Sequence, residues 1–195
     1  KKDALKLSAI CIAIKKRRLI EKSTNGKNLN PLYFEDLEKL KINVTNSLSD
    51  FLFCLNENLM GNWVLGSKGF ILSNGGISVM IGFYQKILER VIEMDGKKPN
   101  RENFDYYIKP LKEIFNKDYK DEKILKNLRL RCTSEGGKNE VLNELILKVK
   151  DFIEDKQFGG PIEEMYSKEF IDLEKKLREL VNDVMIKKFG NKWLE

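Results

Sequence analysis

Apolar residues recur along this chain at every third or fourth position rather than every second, which predicts α-helix nearly throughout. The cleanest run is Ile77, Met80, Ile81, Tyr84, Ile87, Leu88, Val91 and Ile92. It gives a wide apolar face and predicts a buried helix from Gly76 to a stop at Asp95-Gly96 and Pro99. Leu37, Leu40, Val44, Leu48, Phe51, Leu52 and Leu55 predict a long helix over about 32–59. The polar run Asn43, Thr45, Asn46 and Ser47 predicts a break in its middle, because such side chains compete for backbone hydrogen bonds. Phe104, Tyr107, Ile108, Leu111, Ile114 and Phe115 line a helix over 101–115 that Pro110 is expected to kink or end early. A short helix over about 121–130 precedes another with Val141, Leu142, Leu145, Ile146, Val149, Phe152 and Ile153 on one face. Helix is also predicted over 3–20. After the linker-like "FGGP" (158–161), a charged helix follows to Phe189 with Gly190 as its cap.

Two stretches break the period. "EKSTNGKNLNP" is a loop by composition, with Asn25-Gly26 as its turn. "GNWVLGSKGFILSNGG" reads as a turn-rich connection with room for a minor hairpin, and Trp63 as the anchor that ties it to the core. The expected fold is therefore mainly α: a helical, bundle-like core with at most a minor β-hairpin, plus a long C-terminal helix. The expected division is 1–157 for the helical core and 161–195 for the C-terminal helix, the start of a further helical segment. The chain opens at Lys1 in what already reads as helix, so a fragment of a longer protein is expected.

Composition narrows what such a fold does. An apolar content of 42% is enough for a sizeable core. No apolar run approaches the roughly 20 residues a membrane span needs. The best candidate, "ALKLSAICIAI", is broken by Lys6 and Ser8 and lacks a cleavage pattern, so neither a span nor a signal peptide is read there. The three cysteines, Cys11, Cys54 and Cys132, are far apart and show no CxxC spacing, which points to a reducing cytoplasm. There is no histidine. That removes Ser-His and Cys-His catalysis and histidine metal sites, so no catalytic residue, metal ligand or cofactor is assigned.

Net charge is +6 but uneven. Residues 1–34 hold nine Lys/Arg against Asp3 and Glu21, a balance of +7, while the rest holds 27 against 28, a balance of −1. An acidic partner is thus expected at the N-terminal segment. Its densest part is "KKRRL", where Lys15, Lys16, Arg17 and Arg18 suit phosphate neutralisation and equally suit the favoured cations of a helix C-terminus.

A second candidate is "LRLRCTSEGGKNEV" (128–141), with Arg129, Arg131, Gly136, Gly137 and Lys138 as an anion site at a helix start. It is not a P-loop, since Cys132 and Asn139 replace the glycine and hydroxyl that GxxxxGK[ST] requires. The alternative is that Thr133 or Ser134 caps the helix and the glycines only permit the turn. "SNGGISVM" (73–80) repeats the arrangement, and the two glycine pairs line one site if the fold brings them together. Acidic nuclease half-motifs, Asp121-Glu122-Lys123 and Glu174-Lys175-Lys176, are of a kind this composition produces by chance.

The order "LKLSAICIAIKK", "NENLMGNWVLGSKGFILSNGGISVMIGFYQKIL" and "LRCTSEGGKNEVLNELI" resembles the later part of the prokaryotic DGQHR-domain proteins, relatives of DndB-like and ParB-like proteins, over about residues 4–150. "FIDLEKKLRELVNDVMIKKFGNKW" is similar to a helix of HEPN-type defence domains. The Asp-Gly-Gln-His-Arg signature itself is absent, and Arg178 lacks the histidine of the HEPN ribonuclease pair. What the resemblance implies is a non-catalytic, nucleic-acid-associated helical module of a DNA-modification or anti-phage protein, with DNA rather than RNA as partner and no membrane. The alternatives are a helical oligomerisation or partner-docking domain, using the C-terminal helix for a second copy or a partner protein, and a metal-dependent nuclease with an acidic site.

Overall fold

The computed structural model describes residues 7–21, 32–33 and 35–160. The chain divides into two compact units, Lys1–Gly159 and Gly160–Glu195. The described residues belong to the first, apart from Gly160. The predicted loop around Asn25-Gly26, the helix expected from 161 and Trp193 lie outside the described residues. Among the described residues there are seven α-helices and no strand, so the hairpin allowed for in the glycine-rich stretch does not form.

The helices are α1 (Leu7–Lys16), α2 (Leu37–Asn58), α3 (Met60–Val64), α4 (Asn74–Asp95), α5 (Arg101–Asp118), α6 (Glu122–Arg131) and α7 (Glu135–Phe152). Most begin at a residue chosen for the task. The side chains of Asp36, Ser73, Asn100, Asp121 and Ser134 each accept from a free amide of the following helix, and Asn100 and Asn103 complete a reciprocal capping box. Gly96 ends α4 in the left-handed conformation (φ 64°), as the Asp95-Gly96 signal predicts.

α4 is the axis of the core. Ile77, Met80, Ile81, Phe83, Tyr84, Ile87, Leu88 and Val91 are all buried, each side chain contributing on the order of 1.5–3 kcal/mol of transfer free energy. α7 runs beside α4 in the same direction, with Cys132 against Gly75, Leu142 against Gly82 and Asp155 paired with Arg90. α5 runs opposite to α7, with Tyr107 meeting Asp155 while Asp118 and Tyr119 meet Lys148 and Glu144. α2 packs on α5 through Phe51–Phe104 ring contact and an Asn58–Asp105 hydrogen bond of 2.9 Å.

Three local expectations are revised. α2 is continuous where a break was expected, because its polar residues find tertiary partners: Tyr84 donates to Ser47 Oγ (2.8 Å), and Asn43 donates to the Leu32 carbonyl (3.3 Å). α5 continues through Pro110, which is buried with Leu111, Ile114 and Phe115 beyond it. The glycine-rich connection folds as α3 and a 3₁₀ turn, Gly66–Lys68. Buried Asn62 holds it by accepting from the Phe70 and Ile71 amides at 2.9 and 3.0 Å, with Trp63 packed partly into the core.

The exit of the unit is pinned. Arg90 grips Asp155 through Nε (2.8 Å) and Nη2 (2.7 Å), and Tyr107 donates to the same carboxylate (2.8 Å). Phe158 stacks on Tyr107 and meets Phe83 edge-on.

Candidate nucleic-acid interface

α1 stops at Lys16, short of the predicted Ile20. Arg18 adopts φ 54°, its amide donates to the Lys15 carbonyl (3.0 Å), the Leu19 amide donates to the Ile14 carbonyl (3.3 Å), and Leu19 enters the core. That is the bond pattern of a Schellman terminus, whose left-handed position is ordinarily glycine. Arg18 is the one non-glycine residue with positive φ among the described residues. The basic run thus straddles the helix end, with Lys15 and Lys16 in the last turn of α1 and Arg17 and Arg18 in the turn beyond it.

Lys15 is exposed and makes no ion pair among the described residues. Arg18 is exposed too, 77% at the side chain, with Glu21 at a loose 3.8 Å. Arg17 goes inward instead, donating to Gln85 Oε1 (3.2 Å) and covering Gly82, where an added Cβ would sit 2.4 Å from its Nη2. Burial lowers the Arg17 pKa against the pull of Glu135 and Glu89. Lys16 reaches α7 and donates to Glu135 Oε1 at 2.7 Å.

Lys138 donates to that same oxygen, also at 2.7 Å. The fold therefore joins two motifs that lie more than a hundred residues apart, with one carboxylate between their lysines. Hydrogen bonds from Lys138 and then Lys16 hold the Glu135 carboxyl down at about 2. Lys138 is largely covered (17% exposed), whereas Lys16 stays open (56%).

The rest of the predicted anion site disperses. Arg131 turns to Glu144 (2.9 Å), which is nine residues beyond Glu135 and so on the opposite side of α7. Arg129 is half-buried, and its Nη1 is the buried side-chain nitrogen without a hydrogen-bond partner among the described residues.

The glycine pairs follow one local design. In both Ser-x-Gly-Gly starts the serine hydroxyl accepts from the second glycine's amide: Ser73 from Gly76 (3.0 Å) and Ser134 from Gly137 (3.1 Å). In both, a Cβ on that second glycine would fall 1.8 Å from the carbonyl oxygen six residues earlier, Phe70 for Gly76 and Arg131 for Gly137. The cap reading thus accounts for Gly137. Gly75 is equally confined, since its Cβ would lie 2.5 Å from Cys132 Cβ. Gly136 differs, with open space around it. The contact of Gly75 with Cys132 sets the two starts back to back.

A cleft of about 420 Å³ lies elsewhere, between the ends of α2 and α5, lined in part by Asn58, Met60, Lys112, Phe115 and Tyr119. It contains none of the predicted cations. Of the nuclease half-motifs, Asp121 caps α6 and Glu174–Lys176 lies outside the described residues. Among the described residues no three His, Cys, Asp or Glu side chains converge as metal ligands would, and no helix is long and apolar enough to cross a membrane.

Comparison with family models, with curated proteins and with solved structures gives no match.

Proposed function

We propose that this chain is a non-catalytic, nucleic-acid-associated helical module whose contact surface is the end of α1 and the turn after it, together with the start of α7. The observation that carries the reading is that Lys16 and Lys138 meet at Glu135, with the exposed Lys15 and Arg18 flanking Lys16 in sequence. Nucleic acid is the partner class that suits exposed, loosely held cations, because phosphate binding by such side chains needs no pocket and gains from counterion release. The strained Arg18 supports the same reading. A non-glycine residue in the left-handed region costs on the order of 1–2 kcal/mol, and the Arg18 side chain there is 77% exposed, open to a partner.

The DNA-modification or anti-phage setting, with DNA as the partner, rests on the likeness of residues 4–150 to the DGQHR-domain proteins. The test is duplex binding followed by fluorescence anisotropy over a salt series. Replacement of Lys15, Lys16 and Arg18 by glutamine is expected to weaken binding strongly at low salt while the fold melts normally. Arg17 is left alone because it packs inward. Equal binding by the variant would overturn the proposal.

A further inference from the structure

Lys16 does not stand free in the surface just described, and that changes which ligands it can take. One oxygen, Glu135 Oε1, accepts from both Lys16 and Lys138 at 2.7 Å. Lys138 is mostly covered, so it acts as the fixed side of the clamp and keeps the carboxylate in place. Lys16 is the open side. An anion approaching Lys16 meets a carboxylate that already takes one of the three ammonium donors, offsets its charge and is tethered to the same molecule.

Tethering decides the competition. A group on a short connection acts at an effective concentration in the millimolar range or above, so a single phosphate at lower concentration does not displace it. A polyanion is in a different position. Once one phosphate is held by Lys15, or by Arg18 with its loose 3.8 Å Glu21 pair, the next phosphate reaches Lys16 intramolecularly and competes with Glu135 on equal terms. Exposed ion pairs contribute little stability, so the exchange is reversible.

We infer that Glu135 makes this surface selective for polyanions over single phosphates, by occupying Lys16 until a ligand is already anchored at Lys15 and Arg18. The inference rests on the proposed nucleic-acid function and names the residue that sets its selectivity. Glu135 is a positioning and competing group, since it touches the lysine rather than the ligand.

The experiment compares the parent with Glu135→Gln and with Glu140→Gln, the latter removing the same charge from an exposed position on the same helix. A labelled 20-base-pair duplex is titrated by anisotropy over a salt series, and inorganic phosphate is then used as competitor at constant ionic strength. Glu135→Gln is expected to bind the duplex about threefold to tenfold more tightly at low salt. Its salt slope should steepen by about 1, the value for one additional phosphate contact. Phosphate should compete with the duplex in Glu135→Gln and not in the parent. Glu140→Gln should show neither the steeper slope nor the competition. If Glu135→Gln matches Glu140→Gln, the inference is overturned while the proposed function stands. If parent and both variants all fail to bind the duplex at low salt, the proposed function is overturned and the inference falls with it.

Discussion

Replacing each glycine of the two Ser-x-Gly-Gly starts by alanine separates the glycines the backbone requires from the one it does not. At Gly137 the new methyl carbon would sit 1.8 Å from the Arg131 carbonyl oxygen and 2.9 Å from its carbon, and at Gly76 it would sit 1.8 Å from the Phe70 oxygen. Both obstacles are backbone, which yields only by moving the turn that carries the cap. Overpacking of this kind costs about 1–3 kcal/mol, and the strained cap adds to it. For a unit of this size, about 2–4 °C per kcal/mol places the loss between about 2 and 12 °C in Tm. Gly75→Ala should also destabilise, through its 2.5 Å approach to Cys132 Cβ. Gly136→Ala meets nothing within 4 Å and gains helix propensity of up to about 1 kcal/mol, so its Tm should rise by about 1–4 °C. Thermal melts followed by circular dichroism at a helical wavelength, on four single variants, read out the pattern. A Gly137→Ala protein as stable as the parent, or a Gly136→Ala protein as unstable as Gly137→Ala, would refute the account of these helix starts.

Asp155→Ala leaves the largely covered Arg90 with only the exposed Glu93 (3.0 Å) and removes the acceptor of Tyr107, so it should cost about 2–3 kcal/mol, or about 4–12 °C. Burial alone would raise the Asp155 pKa, but hydrogen bonds from Arg90 and Tyr107 outweigh it and leave it lowered. That stabilisation is complete above the unfolded carboxylate value of about 3.9 and is lost as pH falls through the lower folded value. The parent Tm should therefore hold steady down to about pH 5 and drop below about pH 4, with a shallower acid drop in Asp155→Ala. A variant with the parent's acid profile contradicts this. Cys11 is exposed while Cys54 and Cys132 are buried, and burial pushes the Cys132 thiol up to about 11. Ellman's reagent at pH 8 should thus titrate one thiol quickly in the native protein and all three in guanidinium; two fast thiols would mean the start of α7 is not packed as described. Arg18→Gly relieves a left-handed arginine, so after the larger entropy of unfolded glycine it should gain up to about 1 kcal/mol. The same variant should bind duplex less tightly, with a salt slope shallower by about 0.9. A protein both less stable and unchanged in binding would show that the turn, rather than the charge, is what Arg18 serves.

Local signals in the sequence carried most of the fold. The apolar stripe from Ile77 to Val91 is the buried face of α4, Asp95-Gly96 ends it, and Ser134 caps α7 as one reading of its motif allowed. What misled was local chemistry overridden at a distance. Nothing near Asn43 or Ser47 announces that Leu32 and Tyr84 will satisfy them, so a break was expected in a continuous helix. A left-handed arginine leaves no sequence signature comparable to glycine, so the pattern extends helix to Ile20 where α1 ends at Lys16. The candidate site was half legible. Both cation clusters were visible, but their union depends on α1 and α7 meeting beside α4. The departure of Arg131 to Glu144 depends on the rotation of α7. Glu135 has no local signal, because its position depends on two lysines of which only Lys138 is near it in sequence.

The most direct test of the central claim is the salt dependence of duplex affinity for the parent and for the Lys15→Gln, Lys16→Gln, Arg18→Gln triple variant. With Lys15 and Arg18 on phosphate and Lys16 shared between phosphate and Glu135, the parent's log K should fall against log salt with a slope between about −2 and −3, since each contact contributes about −0.9. The triple variant, with an unaltered melt, should lose that slope and bind weakly at every salt concentration. A parent that fails to bind duplex at low salt, or a triple variant with the parent's slope, contradicts the claim that this turn is a nucleic-acid contact surface.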